Sequence, residues 1–295
     1  MELTDFDAHR HTIETRLGRV SYVDVGEGPP ALFVHGVGTN AYLWRGVIDG
    51  VRNVRRCIAP DLPLHGRTPA GPDQDFSLRG LAEVVEALYE ALDGAGGGGL
   101  GPVDLVANDT GGAVAQVVAA RHPERLRTFT LTNCDTHDNI PPEAFAPVIE
   151  MARQGALAAT AEAVLADPAL MRAGGLGAGY EHPDQLSDEM LRAYLTPVLG
   201  TPQAARRFEH VLLALDPRDL LDVEPALKEL TVPTLVVWGT GDEFFDVSWA
   251  YWLRDTIPGV TEVVEVPGAK LFFPDERPGD LIPHLRRHWA AHPPA

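Results

Sequence analysis

The 295-residue sequence predicts an α/β chain: a mostly parallel sheet with helices on both faces and a separate helical insertion in its second half. Three observations predict it. Short apolar runs, such as residues 31–34 and 103–106, have the length and composition of strands buried on both faces. Stretches of helical periodicity separate these runs. From about residue 137 to residue 220 the pattern is helical with no convincing strand.

Taken in order, residues 12–17 and 20–25 alternate around Gly18-Arg19 and read as an opening hairpin. The runs at 31–34 and 57–59 end in His35-Gly36 and Pro60-Asp61. Ser77 is placed to cap a helix whose apolar positions Leu81, Val84, Val85, Leu88 and Leu92 recur at helical spacing. The glycine-rich stretch 94–101 ends that helix, lacks a phosphate-binding pattern and reads as a flexible connection. Strand 103–106 then leads through Ala107-Asn108-Asp109-Thr110-Gly111 into a helix over 112–121. Further strands are expected at 128–132, 234–238 and 262–266, with a helical stretch around 249–253 between the last two. The expected organisation is a core of residues 1–136 and 221–295 and a cap of residues 137–220.

Composition narrows the function classes. Nearly half the residues are apolar, enough for one large domain with an insertion or for two small ones, and no internal repeat is visible. A formal net charge of −18 argues against nucleic-acid or anionic-membrane partners, which would be repelled at long range. Cys57 and Cys134 alone give no disulfide framework, so a reducing compartment is expected. The first residues lack the basic start and apolar run of a signal peptide, and no stretch approaches the roughly 18 apolar residues that span a bilayer. A cytoplasmic monomer or homodimer is the expectation. No spacing of histidines and carboxylates makes a metal site, and no cofactor is expected.

The chemistry is expected to start at Asp109. It sits at the centre of a strand–turn–helix segment, where a tight turn pushes one side chain clear of the backbone while Gly111 and Gly112 let the following helix approach. With this elbow, Val34-His35-Gly36, Trp238-Gly239-Thr240-Gly241-Asp242 and a closing segment Pro274-Asp275-Glu276-Arg277-Pro278 in order, the chain resembles the α/β-hydrolase fold over essentially its whole length. The elbow aspartate and Ala41-Tyr42-Leu43-Trp44-Arg45 resemble the haloalkane dehalogenase and epoxide hydrolase branch. That resemblance implies a mostly parallel eight-stranded sheet with a helical cap. It implies Asp109 as a nucleophile that forms an alkyl-enzyme ester, backbone groups near Gly36, Val37 and Thr110 as an anion hole, and Asp242 as the acid that orients a histidine.

The histidine is missing. Aligned on Gly268-Ala269 and the closing segment, Leu271 occupies its slot, and leucine can neither accept a proton nor hold a water. Lys270 is adjacent, but neighbouring side chains in a loop diverge. His137, in Asp135-Thr136-His137-Asp138, is the candidate for a relocated base. Thr110 stands where dehalogenases commonly carry a tryptophan after the nucleophile, and Val37 offers no side-chain donor for a halide either. Candidate substrate contacts are His35, Trp44, Leu271, Tyr180 and Tyr194. The tyrosines serve either packing or protonation of an opening oxygen, and His35 serves the pocket or its own turn. His65, His182 and His210 read as surface or loop residues.

Three functions follow as expectations. The first is hydrolysis of a small or medium apolar organic molecule with Asp109 as nucleophile. The second rests on Leu271 making the surroundings of Asp109 more apolar, which raises its pKa and suits it to general acid/base work as a lyase, isomerase or cyclase. The third is a binding protein that keeps the pocket without catalysis.

Overall fold

The computed structural model describes residues 1–95 and 99–294. Eight strands, β1 (Arg10–Thr15), β2 (Gly18–Val25), β3 (Pro30–Val34), β4 (Arg56–Pro60), β5 (Val103–Asn108), β6 (Leu126–Thr132), β7 (Thr234–Gly239) and β8 (Val260–Val266), form one sheet in the order β1-β2-β4-β3-β5-β6-β7-β8. Among the described residues only the β1–β2 and β2–β4 pairs are antiparallel. Every pair from β4 to β8 is parallel, as expected for a mostly parallel sheet.

The apolar runs become central strands because helices cover both faces: every residue of β5 and of β7 is buried. The β1–β2 hairpin turns through Gly18 at φ 110°, a conformation costly for any residue with a Cβ. The helix Leu78–Ala95 starts with the Ser77 hydroxyl accepting the Gly80 N–H at 3.1 Å, and its apolar face of Leu81, Val84, Val85, Leu88 and Leu92 is buried. The middle of the glycine-rich stretch that follows, residues 96–98, lies outside the described residues.

Between β6 and β7 the chain builds a helical layer over one end of the sheet, including helices Ala146–Arg153, Ala156–Ala166, Asp188–Leu199 and Pro202–Leu213. Helix Arg218–Leu227 packs back onto helices Leu78–Ala95 and Thr110–Arg121, so the return to the core begins ahead of residue 220 and the expected boundary falls inside that helix. Among the described residues no helix is long and apolar enough to cross a membrane. Cys57 and Cys134 are both free and buried.

Sheet order decides where ligands can bind. β3 is flanked by β4 on one side and β5 on the other, so the chain reverses direction across the sheet there and leaves a crevice at the C-terminal ends of those strands.

Candidate active site

Asp109 occupies the single residue between β5 and the helix Thr110–Arg121, at φ 58° and ψ −141°. Such a conformation is sparsely populated for a residue with a side chain and persists only where its surroundings hold it. Here the Asp109 N–H donates to the Asn133 carbonyl at 2.8 Å, and its own carbonyl accepts the Gly112 N–H at 2.8 Å. Three glycines make room. A Cβ on Gly111 would overlap the His35 backbone, one on Gly112 the Cys134 side chain, and one on Gly36 the Asp109 carboxyl itself.

The elbow opens into a cavity of about 220 Å³ between the sheet and the cap. Val37, Gly38, Asp109, Thr110 and Asp135 form one end of it, and Leu271, Phe244, Phe245 and Phe272 continue the core side. Cap residues such as Val148, Leu157, Val164 and Phe208 close it with apolar side chains. Met151 and Leu170 also line it while remaining exposed, which places its mouth in the cap. Among the described residues no histidine lines this cavity. Leu271 is fixed beside the elbow, because its carbonyl accepts the Asn108 side-chain amide at 3.0 Å.

A second carboxyl shares the site. Asp135 follows the end of β6, is 1% exposed, and lines the same cavity. Among the described residues neither of its carboxylate oxygens has a hydrogen-bond partner. Burial drives the Asp109 pKa well above the ordinary carboxylate value and the charge of Asp135 raises it further, while the N–H groups of Thr110 and Val37 favour its anion. Burial likewise pushes Asp135 up to about 7, against the opposing influence of the nearby Thr110 hydroxyl. Asp242 is raised to about 6 by burial, opposed by the hydrogen bonds it accepts. Asp135, not the neighbouring His137 expected from the sequence, is the residue of this segment that reaches the cavity. Its only signal was its place directly after a central strand adjacent to β5.

Several expected site residues lie elsewhere. His137 does not reach the cavity: at φ 55° its ring stacks 4.9 Å from Trp252, and its Nδ1 lies 2.7 Å from a Glu224 carboxylate oxygen. Tyr180 and Tyr194 are buried but turned away from the cavity, each hydroxyl donating to Asp275 Oδ2 at 2.8 Å beside Arg45. Trp44 is fully buried against Phe33, ring centroids 5.4 Å apart, and is a core residue.

His35 is also structural. Its Nε2 accepts the Leu62 N–H at 2.9 Å, so Nδ1 carries the proton and donates to the Gly36 carbonyl at 2.8 Å; burial holds this neutral ring at a pKa of about 4. His65 is not on the surface: it is 2% exposed, and its Nε2 accepts the Gly38 N–H at 3.2 Å. His182 and His210 are exposed, as expected. Lys270 points to Glu243 at 2.6 Å. Asp242 Oδ2 accepts from the Asn133 amide at 2.7 Å and Oδ1 from the Phe244 N–H at 2.9 Å, bonds that shape its own loop, and among the described residues it has no hydrogen bond to a histidine. Among the described residues no group of His, Cys, Asp and Glu is arranged to hold a metal ion.

Comparison with known proteins agrees with this fold. The α/β hydrolase fold family model matches residues 29–276. A haloalkane dehalogenase of Mesorhizobium japonicum is 40% identical over 108 residues, a match covering 36% of this chain and 33% of that enzyme. A cis-3-alkyl-4-alkyloxetan-2-one decarboxylase of Shewanella oneidensis is 23% identical over 286 residues, covering 94% of this chain and 87% of the other. The crystal structure of an α/β hydrolase fold protein from Burkholderia ambifaria superposes with a TM-score of 0.80 at 23% identity, covering 93% of this chain and 96% of that one. With the elbow, the sheet order and the family match in agreement, this chain belongs to the α/β-hydrolase fold family, and its similarity runs to the haloalkane dehalogenase-like branch.

Proposed function

We propose that this chain is a non-hydrolytic enzyme in which Asp109 moves protons at the polar end of an otherwise apolar substrate. The observation that carries this reading is the cavity's composition: Asp109 lies in it beside Leu271 and Asp135, and none of its described lining residues is a histidine. Hydrolysis through a covalent ester needs a base to activate water for the second step. A carboxyl with a raised pKa suits proton transfer near neutral pH instead. The apolar walls and the exposed apolar mouth at Met151 and Leu170 favour a ligand whose bulk is hydrocarbon. The Shewanella relative supports the non-hydrolytic part of this reading by its name, a decarboxylase acting on a dialkylated four-membered lactone. An isomerisation, elimination or ring-closing reaction fits these features without any cofactor.

One observation favours a second reading. The strained elbow and the Thr110 and Val37 N–H groups around Asp109 are the apparatus of a nucleophile, which dehalogenase relatives also suggest. Intact-protein mass spectrometry after incubation with a panel of haloalkanes and epoxides separates the two, with Asp109→Asn as the control. The proton-transfer reading expects no adduct and no hydrolysis product. An adduct on the wild type that is absent from the variant would overturn it in favour of nucleophilic attack.

A further inference from the structure

The buried aspartates of this chain fall into two groups. Asp61 accepts from Arg10 at 2.6 Å, the Ala41 N–H at 3.0 Å and the Arg67 N–H at 2.9 Å. Asp104 accepts from Arg55, Arg127 and Thr128, and Asp219 from the Leu78 N–H and Arg79. Asp275 takes Tyr180, Tyr194 and Arg45. Each of these has the partners a buried carboxylate needs. Asp135 is as deeply buried as they are, yet both of its oxygens are unpartnered, and it borders the open space of the cavity next to Asp109.

A group left in that condition makes sense when its partner is the substrate. Resting on the proton-transfer reading above, we infer that Asp135 is a second catalytic carboxyl, which donates a proton to the substrate while Asp109 removes one from carbon. The division of labour follows the surroundings. Two backbone N–H groups and the start of a helix favour the anion at Asp109, so it is the acceptor. Asp135 has no helix start behind it, only the Thr110 hydroxyl and its own N–H nearby, and neither of its oxygens is held in a formed hydrogen bond, so in the reacting state the proton the pair shares is assigned to it. Two adjacent carboxyls cannot both ionise cheaply: burial raises both, and the charge of Asp135 raises Asp109 further. The substrate class that uses such a pair has an acidic C–H and, within the same small polar end, an oxygen that gains electron density as that proton leaves. A substrate with a carboxylate at that end is disfavoured by the negative floor.

Benzisoxazole opening tests this without knowledge of the natural substrate. Asp109 takes the ring C–H proton, the electron pair of that bond completes the nitrile, the N–O bond breaks with its pair on oxygen, and that oxygen takes the proton of Asp135 to give 2-cyanophenol. A proton then passes from Asp109 back to Asp135 and restores the starting state. The 5-nitro analogue leaves as a stabilised phenolate and has little use for the acid. The expected result is that wild type opens both compounds, that Asp109→Asn loses at least ~10²-fold on each, and that Asp135→Asn loses ~10²-fold on benzisoxazole but under ~10-fold on the nitro analogue. Asp135→Ala is the second removal, so the ratio is read on whichever variant folds as wild type by circular dichroism. Equal losses on the two compounds would overturn the role of Asp135 and leave Asp109 as a base. No opening by wild type beyond that of Asp109→Asn would overturn both readings.

Discussion

Replacing Asp135 by asparagine should make the protein more stable above neutral pH, and the size of the effect follows from the carboxyl's surroundings. Burial raises Asp135 from an ordinary 3.8 to about 7, and the groups that face it are Asp109, Asp242, Thr110 and Cys134. A carboxyl raised in the folded state favours folding fully at pH values below 3.8, and that contribution is lost as the pH climbs through about 7. At about 1.4 kcal/mol per pH unit the whole span corresponds to about 4 kcal/mol, of which about 3 kcal/mol falls between pH 5 and pH 8. Asparagine has nothing to ionise, and removing the neighbouring charge also relieves Asp109, which acts in the same direction. Urea denaturation of both proteins at pH 5 and pH 8 measures the effect. The stability of the variant relative to wild type should grow by about 3 kcal/mol across that interval. A difference that stays constant with pH, or a variant that loses ground at pH 8, would refute the placement of an uncompensated carboxyl at this position.

Other residues make separate predictions. Tyr180→Phe takes one hydroxyl donor from buried Asp275 and should cost about 1–3 kcal/mol in urea denaturation, with Tyr194→Phe costing a similar amount. Gly36→Ala places a methyl group on the Asp109 carboxyl, so benzisoxazole opening should fall by at least ~10²-fold while circular dichroism shows the fold retained. Leu271→His introduces an imidazole that, when charged, favours the Asp109 anion; the pH at which benzisoxazole opening is half-maximal should therefore fall, and an unchanged midpoint would show that position 271 does not face Asp109.

Reading the sequence alone succeeded wherever the information was local. Apolar runs of strand length, the Ser77 cap, and the glycines on either side of Asp109 specify backbone geometry within a few residues, and these features appear where expected. The place of Leu271 near the elbow was legible for the same reason, since the short closing segment leaves little freedom in its register. Directions of side chains were not legible. Tyr180 and Tyr194 turn away from the cavity because Asp275, far along the chain, needs their hydroxyls, and His137 is held by Glu224 and Trp252. His65 is drawn inside by the Gly38 N–H.

The amino-acid order by itself thus determined the sheet and the elbow. Tertiary packing decided which polar groups meet in the cavity. Hydrogen-bond satisfaction is settled between residues distant in sequence, so an ordinary aspartate such as Asp135 becomes exceptional only when the fold buries it beside Asp109 and supplies no partner.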